Sequence, residues 1–172
     1  MSTHRTHLAA ESAPQTQGTV LNWGRLYDLI VRVSTGGKEQ ALRRKIADLI
    51  GLQPGKAVLD VGCGTGSLAL LAKKHVGETG RVCGVDPGPR QIARARAKAE
   101  HSRLSVDFQV GVIERLPFPD HSFDVVQSTF MIDHLTHMID HLTHDLQRQG
   151  VKEIARVLKP GWRSLILVST SI

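Results

Sequence analysis

The sequence predicts an α/β fold: a mostly parallel sheet with helices on both faces. Two observations carry that reading. Short runs rich in Val, Ile, Leu and Phe recur along the chain, and segments with helical spacing separate most of them. Parallel neighbours need a crossover connection, and the crossover is usually a helix. Residues 1–18, "MSTHRTHLAAESAPQTQG", are polar and are expected to form a disordered tail. Residues 21–33 and 38–50 have helical spacing, the second ending at Gly51 as a C-cap, and "GLQPGK" at 51–56 is a turn. Strands are predicted at 57–62, 81–86, 105–111, 123–129 and 163–169, and helices at 66–76, 88–101 and 131–158. The two prolines of "RLPFPDHS" make 115–122 a loop.

A chain of 172 residues has the length of one domain with a sizeable core. We therefore expect one unit over 19–172, in which 19–50 is a helical lid segment. No apolar run approaches the roughly 20 residues of a membrane helix, and the start has no apolar core of the kind a secretory signal requires. A cytoplasmic location is the expectation. Two cysteines, Cys63 and Cys83, give no disulfide framework. The formal charge of +6 comes largely from "KEQALRRK" (38–45) and "RQIARARAK" (90–98). Both have apolar residues at helical spacing, so they read as solvated helix faces rather than as a nucleic-acid surface.

In an open α/β sheet a ligand sits outside the carboxyl ends of the strands, so the informative residues should lie there. The first strand ends in "LDVGCGTGS", which opens directly into a helix. Glycines at 62, 64 and 66 permit positive φ and close approach of a ligand. A dinucleotide loop has the spacing G-x-G-x-x-G, but here Ser67 stands where the third glycine would fall. Asp60 would repel a pyrophosphate yet can accept hydrogen bonds from an ammonium group. That combination favours a nucleoside bearing an amine. Asp86, ending the second strand, can accept both hydroxyls of a ribose.

The segments "VLDVGCGTG", "GVD", "GVIERLPFPDHSFDVV" and "EIARVLKPG", in this order, resemble the class I S-adenosylmethionine-dependent methyltransferases. The likeness is to the branch that includes ubiquinone and menaquinone biosynthesis enzymes, and it covers about residues 20–168. The resemblance implies a Rossmann-like sheet, S-adenosyl-L-methionine as cofactor and a small organic methyl acceptor. By position it implies that Asp60 and the backbone of Gly62, Cys63, Gly64 and Gly66 hold the methionine part. Asp86, with Pro87 beside it, would hold the ribose, and Val112, Ile113 and Glu114 would line the adenine. Gln127 and Ser128 would face the reacting methyl group, and Tyr27 could reach the methionine end from the lid. Transfer from a sulfonium needs alignment more than acid or base chemistry, so no catalytic residue is compelled. Where the acceptor needs a base, His134 and His137 are the candidates. Asp124 reads as a structural turn residue and Cys63 as a small loop residue without a neighbouring base.

The pattern departs from the family in three places. Val112 stands where many relatives have an aspartate that reads adenine, so Glu114 or the backbone would do that work. Trp162 replaces a second glycine after "LKPG", crowding a turn that is expected to precede the fifth strand. The sequence stops at Ile172, where the family fold continues with a further helix and two strands; the expectation is a sheet lacking its last two strands, with an exposed edge that could pair with a second copy. A truncated or non-catalytic cofactor-binding domain and an RNA methyltransferase are the alternatives.

Residues 131–144 repeat one heptad, "MIDHLTH", twice. On a helix a heptad advances about 700°, roughly 20° short of two turns, so a copied heptad preserves the facing of the residues C-terminal to it. His134, His137, His141 and His144 fall on one stripe for that reason, and no functional metal site is expected from them. Removing one copy restores the family pattern. The surplus copy shifts the helix by about 10.5 Å along its axis, so the helix cannot keep both its start and its downstream docking.

Overall fold

The computed structural model describes residues 52–129 and 142–167. The predicted tail, the lid helices, most of the doubled heptad and the candidates Tyr27, His134 and His137 lie outside the described residues. Within them the order is β1 (Ala57–Val61), α1 (Ser67–Val76), β2 (Arg81–Asp86), α2 (Pro89–His101), β3 (Asp107–Val110), β4 (Phe123–Thr129), α3 (Leu142–Val157) and β5 (Leu158–Leu167). The five strands form one sheet in the order β3-β2-β1-β4-β5, and every pairing is parallel. This is the predicted α/β, Rossmann-like architecture, with the described sheet wholly rather than mostly parallel. No described helix is long and apolar enough to cross a membrane.

Alternation along the central strands buries both faces, as expected where helices cover a parallel sheet. Val58, Val82 and Val125 point to one side, where Leu68, Ala69, Ala72 and Val76 of α1 and Ile92, Ala95 and Ala99 of α2 meet Phe108. Leu59, Val61, Cys83, Val85 and Val126 point to the other, against Ile154 and Val157 of α3 and Leu116 and Phe118 of the β3–β4 connection. Phe118 meets Phe123 edge to face, with centroids 5.0 Å apart.

Three boundaries differ from expectation. β3 spans four residues rather than seven; Leu104 donates its N–H to Ala99 O, so the chain is still leaving α2 there. The helix expected at 131–158 ends at Val157, and β5 begins at Leu158 rather than at 163. Leu158 pairs with Phe123, yet the next pair is Val125 with Arg163, so "KPGW" is an irregularity within the strand rather than a turn before it. Gly161, with φ of 81°, supplies the left-handed residue beside Trp162.

α3 keeps its downstream docking. A Cβ at Gly150 would lie 2.9 Å from Ile113 Cδ1 and Cγ1, so the glycine lets α3 sit directly on the β3–β4 connection.

Candidate functional site

Because all strands run the same way, their carboxyl ends form one rim, and strand order reverses there between β1 and β4. The rim collects Asp60, the Gly62–Gly66 loop, Asp86, Pro87, Gln127 and Ser128, with Val112, Ile113 and Glu114 just past β3. Asp60, next to last in β1, lies between two register partners, Gly84 of β2 and Gln127 of β4. All three loop glycines have positive φ: 70° at Gly62, 53° at Gly64 and 77° at Gly66. They serve different ends. A Cβ at Gly66 would lie 2.6 Å from Phe108 Cζ and 2.9 Å from Ala95 Cβ, so this glycine lets α1 pack closely. A Cβ at Gly64 would meet none of the described residues within 4 Å, so its missing side chain leaves open space beside them at the rim. Gly66 is also the N-cap of α1, and no side chain caps that helix end, which suits a ligand at its N–H groups.

Asp86 does more than its spacing suggested. Its Oδ2 accepts the Gly64 N–H at 2.9 Å and its Oδ1 accepts the Gly88 N–H at 2.8 Å. Its main-chain oxygen accepts the Gly111 N–H at 3.2 Å. One residue thus ties together the loops after β1, β2 and β3. Each carboxylate oxygen keeps further lone-pair capacity for a ligand hydroxyl. Burial raises the carboxyl above the ordinary value of 3.8, against the opposing pull of the Gly88 and Gly64 N–H groups.

Cys63 is buried in the loop, where the absence of a side chain on Gly84 makes room for its sulfur. Burial first, then the Asp60 and Asp86 carboxylates, push its thiol well above the usual range, so it has no thiolate character. On α2, Lys98 Nζ donates to Thr65 Oγ1 at 2.6 Å and Ser67 Oγ at 3.3 Å, and the Arg96 guanidinium donates to Phe108 O. Within the helix face at 90–98 that was read as solvated, the exposed Arg96 and the half-buried Lys98 also hold β3 and the glycine loop.

The segment past β3 is held from α3. Leu116 N–H donates to Glu153 Oε2 at 2.8 Å. Arg156 grips both Glu153 oxygens, at 2.7 and 2.8 Å, and also donates to Leu116 O, Phe118 O and Asp120 Oδ1. His121 and Ser122 return their N–H groups to the carbonyls of Arg156 and Val157 at the end of α3. Val112 is buried and its carbonyl accepts the Arg115 N–H; Ile113 packs on Gly150; the Glu114 carbonyl accepts the Gln149 side chain at 3.0 Å. Sequence reasoning missed the Glu153–Arg156 clamp. Its only trace was the pair of opposite charges three apart inside "EIARVLKPG". Asp124 is structural, as expected, although its partner is remote: it accepts the Ala57 N–H at 2.8 Å and pairs with Lys159 at 3.0 Å.

Two polar side chains at the end of β4 stand out. Gln127 and Ser128 are buried, and among the described residues neither the Gln127 amide atoms nor Ser128 Oγ have a hydrogen-bond partner. Buried polar groups are rarely left so. Together with the space at Gly64, they fit a ligand that carries polar groups into the rim.

A protein-family model described as a methyltransferase domain matches residues 58–161. The chain belongs to the S-adenosylmethionine-dependent methyltransferase family. The matched span of this methyltransferase domain includes every rim residue named above. It is 33% identical over 141 residues to the ubiquinone/menaquinone biosynthesis C-methyltransferase of Laribacter hongkongensis, a match covering 82% of this chain and 54% of that protein. Among solved structures, a SAM-dependent methyltransferase from Aquifex aeolicus superposes with a TM-score of 0.63 at 27% identity, over 72% of this chain and 62% of that one. The [4+2]-cyclase SpnF superposes with a TM-score of 0.62 at 30% identity, over 73% and 43%. The chain spans about half the length of the curated relatives it matches.

Proposed function

We propose that this domain binds S-adenosylmethionine at the rim and directs its methyl group to a small organic acceptor. The observation that carries the reading is the Gly62–Gly66 loop at the β1/β4 reversal, whose open position at Gly64 is fixed by Asp86. The bound cofactor supplies a methyl group already activated by a positively charged sulfur. The chain's own residues bind and align. Asp60 and the backbone of Gly62, Cys63, Gly64 and Gly66 face the amino-acid end, and Asp86 with Pro87 flanks the ribose. Val112, Ile113 and Glu114 border the adenine, while Gln127 and Ser128 lie toward the transferred group. By the resemblance alone, Tyr27 is the candidate contact for the amino-acid end. Holding nucleophile, methyl and sulfur in line supplies most of the rate. If the acceptor is an oxygen or carbon acid, His134 and His137 are the candidate bases by sequence.

The small acceptor is favoured by the relative named for quinone biosynthesis. A cytoplasmic setting accords with two buried, unlinked cysteines. The outer position of β5 in the described sheet supports pairing with a second copy, which light scattering would read as a dimer mass. The test of function is methyl transfer from methyl-labelled cofactor to small acceptors, demethylated quinones first. Label in an extracted small molecule supports the proposal. Binding with no transfer to any acceptor class would leave a cofactor-binding domain and overturn the enzymatic part.

A further inference from the structure

We infer that Lys98 of α2 is a positioning residue for the glycine loop: it sets cofactor affinity through Thr65 and Ser67 rather than by contact with the ligand. This rests on the cofactor reading above. Lys98 Nζ reaches back 33 and 31 residues to donate to Thr65 Oγ1 at 2.6 Å and to Ser67 Oγ at 3.3 Å. Hydrogen bonds from an ammonium are stronger than those between neutral groups. The two acceptors flank Gly66, where the loop enters α1.

A loop with three glycines in five residues loses much backbone freedom on ordering, so its shape depends on what holds it. The first half is held from β2. Gly62 and Cys63 donate their N–H groups to Val85 O at 2.8 and 3.0 Å, and Gly64 donates to Asp86. The second half is met from α2. Ala95 is fully buried, and a Cβ at Gly66 would lie 2.9 Å from its Cβ, so α2 packs directly against the last glycine of the loop. Lys98 stands one turn beyond Ala95 on the same helix face, which brings its ammonium to Thr65 and Ser67. Charge complementarity with α1 does not account for this lysine, because a cation beside a helix N-terminus is opposed by the helix dipole. Hydroxyls commonly cap helices, yet no side chain caps α1, and these two accept the ammonium instead. The lysine thus braces the loop while the first N–H groups of α1 are left without a side-chain cap.

The test is calorimetric titration of S-adenosylhomocysteine into the full chain as wild type, Lys98→Met, Lys98→Arg, Arg94→Met, Thr65→Val and the Lys98→Met/Thr65→Val double variant. Affinity should fall about tenfold in Lys98→Met, as for the loss of one ligand hydrogen bond. Lys98→Arg keeps charged donors and should recover most of it. Arg94→Met removes a cation one turn earlier on α2 and should stay within about twofold of wild type. Thr65→Val should lose a similar factor to Lys98→Met, and the double variant should lose little more than either, since both changes remove the same contact. The loss should persist in about 0.5 M salt, where long-range attraction between charges is screened. Additive losses, a loss that vanishes in salt, or an equal loss in Arg94→Met would make Lys98 an attractor of the ligand and overturn the inference. A lowered melting temperature with unchanged affinity would make it merely structural and overturn the inference too. Should Lys98→Met not fold, Thr65→Val reads the same contact with the lysine kept, and unchanged affinity there is the contrary result. Wild type that does not bind would overturn the cofactor reading with this inference, whereas tight wild-type binding with an indifferent Lys98→Met would overturn this inference alone.

Discussion

The two sides of the rim are held in different ways. From β1 to β2 the geometry is local and carried by the backbone: three left-handed glycines within five residues, tied by one carboxylate 22 residues from Gly64. From β3 to α3 it is remote and carried by side chains. Arg156 and Glu153 reach 36 to 40 residues back to hold Leu116, Phe118 and Asp120. The first arrangement fixes a shape through chain stereochemistry, and the second fixes it through charge-assisted hydrogen bonds. They should therefore fail differently.

The largest effect is expected from Gly66→Ala. The new Cβ meets the buried Phe108 ring and Ala95 inside 3 Å, at a φ that L residues rarely adopt. A loss of about 3–5 kcal/mol in urea unfolding is expected, since overpacking and backbone strain combine. A loss below about 1 kcal/mol would mean that α1 does not pack as described. Next is Arg156→Met, which removes the fork but keeps an apolar stem. We expect a loss of about 2–3 kcal/mol, with the β3–β4 connection losing hydrogen-exchange protection before β1 and β2. Uniform loss of protection would deny that the two sides are separable.

The pH response gives a smaller contrast, with opposite signs. The Arg156 fork first, together with the Leu116 N–H, holds Glu153 below its ordinary 4.5. Its contribution is therefore present above 4.5 and is lost as pH falls through the lower folded value. Asp86 is raised by burial, so its contribution is present below 3.8 and is lost as pH rises through the raised value. Across about pH 3 to 6, the stability advantage of wild type over Glu153→Gln should shrink on acidification. Its advantage over Asp86→Asn should grow. Curves that move together would show that the two carboxylates share one environment.

This contrast also explains what could be read from the sequence. The glycine loop, Asp60 and Asp86 were legible because a strand-turn-helix signal is contiguous and each glycine has a stereochemical reason. That the sheet is parallel followed from helices alternating with strands; its order, β3-β2-β1-β4-β5, came from the structure. The clamp was illegible, since no periodicity couples Arg156 to carbonyls 36 to 40 residues away. Charges read as solvent-facing, such as Arg96 and Lys98, proved to hold Phe108, Thr65 and Ser67. "LKPGW" read as a turn because Pro and Gly usually mark one, but pairing of Leu158 with Phe123 makes it the irregular head of β5. Gln127 was placed at the site by resemblance, and only the structure showed that its buried amide has no partner among the described residues.

The central claim is that the open glycine position at the β1/β4 reversal is a cofactor cradle. Calorimetric titration of S-adenosylhomocysteine into wild type and Gly64→Ala tests it most directly. An alanine at φ 53° meets no atom within 4 Å, so the strain should cost only about 1 kcal/mol of stability. The added methyl stands where the ligand would lie, and affinity should fall at least about tenfold. Wild type that does not bind, or a folded Gly64→Ala that binds as wild type does, would contradict the account.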